Sequence, residues 1–68
     1  MNSEIKMEFE LEKDGRWIAE AIDFPGVLAY GSTKEEARIK AEVLALRVVA
    51  DRIEADKSAP DQVRFAVA

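Results

Sequence analysis

The stretch 23-DFPGVLAYGSTKEEA-37 decides the fold of this chain. It holds two of the three glycines and one of the two prolines, and an acidic helix start follows at once. Asp23-Phe24-Pro25-Gly26 is a turn. Pro25 presets φ for the first central position and Gly26 supplies positive φ at the second, the pattern of a type II turn. Val27 to Tyr30 then make a short strand that Gly31 ends. Ser32 or Thr33 caps a helix, because Ser32 with Glu35 and Thr33 with Glu36 both fit a capping box. Glu35 and Glu36 also suit the positive end of the helix dipole.

Upstream, residues 4–12 alternate strictly. Ile5, Met7, Phe9 and Leu11 interleave with five charged residues, the signature of a half-buried strand. Lys13-Asp14-Gly15 offers a hairpin loop, and residues 16–22 (RWIAEAI) form a second strand. A two-residue Asp14-Gly15 loop would set Phe9 opposite Glu20 and bury an unpaired charge. A three-residue loop instead sets Leu11, Phe9 and Met7 opposite Trp17, Ala19 and Ala21, which is the register expected. The single tryptophan, Trp17, belongs to the core or its rim. Glu8, Glu10, Glu12, Arg16, Ile18, Glu20 and Ile22 then share the other face.

Downstream, a helix is expected over about residues 33–55, with two apolar stripes. Ala37, Ala41, Leu44, Ala45, Val48 and Val49 form one. Ile39, Val43, Leu46, Ala50 and Ile53 form the other. One sheet covers one stripe, so the second reads as an oligomer contact, in a homodimer or larger homo-oligomer. Asp56 to Asp61 form a loop with a proline stop, and Gln62–Val67 alternate as a fourth strand. The order β-β-β-α-β predicts an α+β fold with one helix on a four-stranded mixed sheet. A right-handed crossover lays the last strand parallel to the first and gives the order 3-2-1-4.

With 68 residues the chain is expected to be one domain, residues 1–68. It has neither cysteine nor histidine, so disulfides, thiolate metal sites and histidine general bases are excluded. A net charge of −4 repels phosphate backbones and disfavours direct nucleic-acid binding. It favours a basic protein partner. No apolar run has the length of a signal-peptide core or a membrane span, so a cytoplasmic domain without membrane contact is expected. Metal-dependent nuclease chemistry needs converging carboxylates. Glu8, Glu10, Glu20, Asp23 and Asp61 are the candidates, but in the first strand the glutamates fill every outward position except that of Lys6, and the last strand supplies none. No catalytic, metal-binding or cofactor-binding residue is assigned, and the chain is not expected to be an enzyme. Asp23, Pro25, Gly26, Gly31, Ser32, Thr33, Glu35 and Glu36 read as structural turn and cap residues.

The run GRWIAEAIDFPGVLAYGSTKEEA, residues 15–37, resembles the N-terminal domain of HicB-type antitoxins. The matching pieces are Gly15, Trp17, Ala19, Glu20, Asp23, Pro25, Gly26, Gly31, Thr33, Glu35, Glu36 and Ala37. The chain departs from the family pattern at Ile22, where proline is frequent, and at Phe24, where leucine is frequent. The resemblance implies a partial ribonuclease-H-like fold and membership of a prokaryotic toxin–antitoxin system. It further implies a small RNA-cleaving toxin of the HicA type, bound and neutralised by protein–protein contact. These residues hold no counterpart of the family's C-terminal DNA-binding domain, so operator binding is not expected of them. Glu8, Glu10, Ile18 and Glu20 are the candidate toxin contacts. The rival reading is an orphan oligomeric module that regulates or binds a ligand without a toxin.

Overall fold

The computed structural model describes residues 2–68. Its elements are β1 (Asn2–Leu11), β2 (Trp17–Ala21), β3 (Leu28–Gly31), α1 (Lys34–Asp56) and β4 (Gln62–Val67). They build one four-stranded mixed sheet in the order β3-β2-β1-β4 with a single helix against it, an α+β fold. β1 pairs antiparallel with β2 and parallel with β4, as the crossover requires. Met7, Phe9 and Leu11 stand opposite Ala21, Ala19 and Trp17. This register keeps Glu20 on the solvent side beside Glu8. The three-residue loop closes by bonds from the Glu12 amide to the Arg16 carbonyl (2.7 Å) and from the Gly15 amide to the Glu12 carbonyl (3.0 Å).

The Pro25-Gly26 turn is centred as its chemistry demands. The Val27 amide bonds the Phe24 carbonyl at 3.0 Å, and Gly26 takes φ +83°. The Ala21 amide donates to the Val27 carbonyl, so the turn is tied into the end of β2. β3 begins one residue later than the expected Val27, at Leu28, and includes Gly31. β1 runs from Asn2 to Leu11, and β2 loses Arg16 and Ile22 to the flanking turns.

The helix is pressed onto the sheet through alanines. Ala37, Ala41 and Ala45 on one side, and Ala19 and Ala21 on the other, are all buried. Small side chains on both surfaces let the backbones approach, and the helix comes closest to β2 and β3. Ile5 and Met7 of β1 are the largest fully buried side chains among the described residues. Phe9, Trp17, Phe24, Val48, Val49 and Phe65 pack around this centre, half-buried. Trp17 therefore lies at the rim of the core.

Two helix assignments change. Leu44, expected in the core stripe, is exposed, because it overhangs the outer edge of β3 where no further strand lies beneath it. Ile53, expected on the outer stripe, is half-buried in a hollow lined by Ile5, Phe24, Val49 and Pro60, because the segment after the helix folds back against it. The cap also resolves. Thr33 is the N-cap, with extended φ and ψ, and its Oγ1 accepts from the Glu36 amide at 3.0 Å. Ser32 does not cap the helix with Glu35. Its hydroxyl donates to the Glu36 carboxylate at 3.1 Å, while Glu35 pairs with Arg38.

The ion pairs set the response to acid. Lys40 and then Ser32 hold the Glu36 carboxyl below its ordinary value of 4.5. Arg38 does the same for Glu35, and Arg64 for Glu4. The Arg16 amide, and then its side chain, hold the Asp14 carboxyl below its ordinary value. Each group binds fewer protons folded than unfolded near its titration. Its stabilisation is therefore complete above the ordinary value and is lost as pH falls through the depressed one. The melting temperature is expected to stay level from about pH 8 to about pH 5 and to decline below about pH 4.5. Calorimetric scans across that range check it, and a melting temperature that rises on acidification contradicts it.

Candidate functional site

The sheet has one covered face and one open face. Strand pairing sets the open face in rows. Leu28, Glu20 and Glu8 form one row across β3, β2 and β1, and Tyr30, Ile18 and Glu10 form the next. Glu8, Glu10 and Glu20 are exposed and Ile18 is half-buried among them. All four candidates named from the sequence line one hollow of about 490 Å³, together with Phe9, Lys34, Val67 and Ala68. β4 pairs with β1 as far as Met7, and the Ala68 amide bonds the Met7 carbonyl at 2.8 Å.

The charges there are uncompensated. Among the described residues the ion pairs join Arg16 to Asp14, Arg38 to Glu35 and Glu42, Lys40 to Glu36, and Arg64 to Glu4. None of them supplies a cation to Glu8, Glu10 or Glu20. Glu8 and Glu20 stand directly opposite each other, an arrangement that costs stability between paired strands. Lys34 borders the hollow, but its Nζ lies over the Phe9 and Trp17 rings at 4.8 and 5.8 Å from their centroids. Arg16 stacks over Tyr30 at 4.5 Å, at the margin of the same face. The arrangement is an acidic surface around one branched apolar side chain. It suits a basic ligand.

The other candidates fall elsewhere. Asp23 is an exposed turn residue and Asp61 immediately precedes β4. Among the described residues no cluster of three acidic, histidine or cysteine side chains is placed to hold a metal ion. Pro25, Gly26, Gly31, Thr33 and Glu36 build the turn and the helix start. Ile39, Val43 and Leu46 are 50%, 43% and 44% exposed on the side of α1 away from the sheet, with Ala50 beside them. Among the described residues no helix is long and apolar enough to cross a membrane.

No family model, no curated protein and no solved structure matches this chain.

Proposed function

We propose that the chain acts by protein–protein contact, as an antitoxin-like domain that binds and masks a small, basic, RNA-cleaving toxin of the HicA type. The observation that carries this reading is the acidic hollow. Glu8, Glu10, Ile18 and Glu20 line one concavity, and among the described residues no ion pair supplies a cation to the three glutamates. Like charges opposed across two strands destabilise the free protein, and a basic partner removes that cost on binding. Ile18 offers the apolar contact that a purely electrostatic encounter lacks. The resemblance of residues 15–37 to HicB-type antitoxins names the class of partner. On this reading the β-β-β-α-β unit is a partial ribonuclease-H-like domain of the prokaryotic cytoplasm that binds without catalysing, requires no cofactor and makes no direct nucleic-acid contact.

Charge reversal tests it. The double variant Glu8→Lys, Glu10→Lys is expected to bind a HicA-type toxin about 10- to 100-fold more weakly in titration calorimetry. It is also expected to show a shallower salt dependence. The variant relieves repulsion in the free chain, so its melting temperature should hold or rise. An unchanged affinity removes these residues from the contact. Absence of binding by the wild-type chain favours the orphan oligomeric module.

A further inference from the structure

The two edges of the sheet are held in unequal ways. β3, at one edge, lies against the start of the helix. Its Gly31 is buried so close to α1 that a Cβ there would meet the Ala37 backbone nitrogen at 2.5 Å. β4, at the other edge, has no such clamp. None of its side chains is buried: Gln62, Val63 and Arg64 are exposed, Phe65 and Ala66 are half-buried, and Val67 is 74% exposed. The helix comes closest to β2 and β3, and a groove of about 280 Å³ lies between its Arg38 and Glu42 and the Phe65 and Val67 of β4. β4 is held by its parallel ladder to β1, by the Arg64–Glu4 ion pair and by the contact of Phe65 with the core. The ion pair is exposed, and exposed pairs contribute little.

We propose that β4 is a strap that opens and closes as a unit of its own, while the β1–β2–β3 pairing and α1 stay folded. Segments with few buried apolar contacts open at a lower free energy than the core. The connection from the helix sets the hinge. Pro60 is half-buried and lines a hollow with Ile5 and Ile53, so the chain stays seated that far and the strap turns on the residues just beyond.

The strap reaches the acidic hollow. Val67 and Ala68 line it together with Glu8, Glu10, Ile18 and Glu20. The closed strap thus supplies one wall, and opening takes that wall away. A ligand that fills the hollow against Val67 binds the closed form alone and holds the strap shut. The opening rests on packing alone, whereas its control by a ligand rests on the reading of the hollow as the binding site.

Amide hydrogen exchange of the full chain, followed by nuclear magnetic resonance across a urea series, tests the strap. The Ala68 amide donates to the Met7 carbonyl, and the alternation of the ladder turns the Arg64 and Ala66 amides onto β1 as well. The Arg64 and Ala66 amides are expected to exchange about 10- to 100-fold faster than those of Ala41 and Glu42 in the middle of α1. Their rates should stay nearly flat at low urea, because opening the strap exposes little surface, while the helix rates climb with global unfolding. Ala45→Gly, which weakens the helix, is expected to speed the helix amides about 5-fold and to leave the β4 amides unchanged. One common rate with one common urea slope overturns the proposal, and so does an Ala45→Gly chain in which both sets speed up alike. In a saturated complex with a HicA-type toxin the β4 amides are expected to slow about 10-fold or more, and unchanged rates there overturn the control by ligand. A toxin that does not bind removes the toxin reading, and the free-chain rates still decide the strap.

Discussion

Ile5→Ala is expected to leave most of the chain unfolded at physiological temperature. Ile5 and Met7 are the largest fully buried side chains, and the rest of the buried core is mostly alanine. Truncating a buried isoleucine to alanine costs about 2 to 5 kcal/mol, the lost transfer energy plus the cavity left behind. The surrounding alanines have no spare atoms with which to fill that cavity. At about 0.05 to 0.15 kcal/mol per residue, a chain of this size has on the order of 3 to 10 kcal/mol of stability. The low end is the relevant one for so small a domain. With each kcal/mol worth about 4 to 8 °C, the melting temperature should fall by roughly 10 to 30 °C. A thermal melt by circular dichroism decides it, and a shift below about 5 °C would contradict the core as described.

Gly31→Ala is expected to cost about 2 to 3 kcal/mol although it adds one methyl group. A Cβ at Gly31 would lie 2.5 Å from the Ala37 backbone nitrogen and 2.9 Å from the Glu36 Cβ. Backbone cannot rotate out of the way, so the first turn of α1 must move off β3. That movement also strains the Thr33 cap, because Glu36 is the residue whose amide Thr33 accepts. Gly26→Ala is the informative comparison. Nothing lies within 4 Å of a Cβ there, but φ is +83°, so the cost is conformational and about 1 to 2 kcal/mol. Urea unfolding of both variants separates the two causes. Equal midpoints would mean that the close approach of β3 to the helix start is not what requires glycine at 31.

The parts of this fold that were legible in the sequence are those where a wrong choice buries a charge. The hairpin register is one. Sliding it by a residue drives Glu20 beneath the helix, so the alternation of Ile5, Met7, Phe9 and Leu11 admits only the pairing seen. The sheet order was legible for a different reason, since the hand of the crossover leaves β4 one place to lie. Choices between chemically equivalent residues were not legible. Ser32 and Thr33 both fit the box, and the hydroxyl that caps depends on where the turn after Gly31 points it. Leu44 and Ile53 show a different limit. A helical wheel gives the direction of each side chain but not the width of the sheet beneath it. Leu44 points past a four-residue edge strand, and Ile53 points at a loop that folds back.

The candidate site follows the same division. Alternation was enough to place Glu8, Glu10 and Glu20 outward with Ile18. The hollow they line also takes in Phe9, Lys34 and Val67, from the other face of β1, the helix and β4, a tertiary gathering that no local pattern encodes.

The proposed masking of a basic RNA-cleaving protein by the acidic open face is tested most directly by the RNA cleavage rate of a HicA-type toxin titrated with the purified chain. The expected result is inhibition that saturates near one chain per toxin, weakened by salt and by the Glu8→Lys, Glu10→Lys double substitution. Cleavage that continues unchanged at a large excess of folded wild-type chain would contradict it.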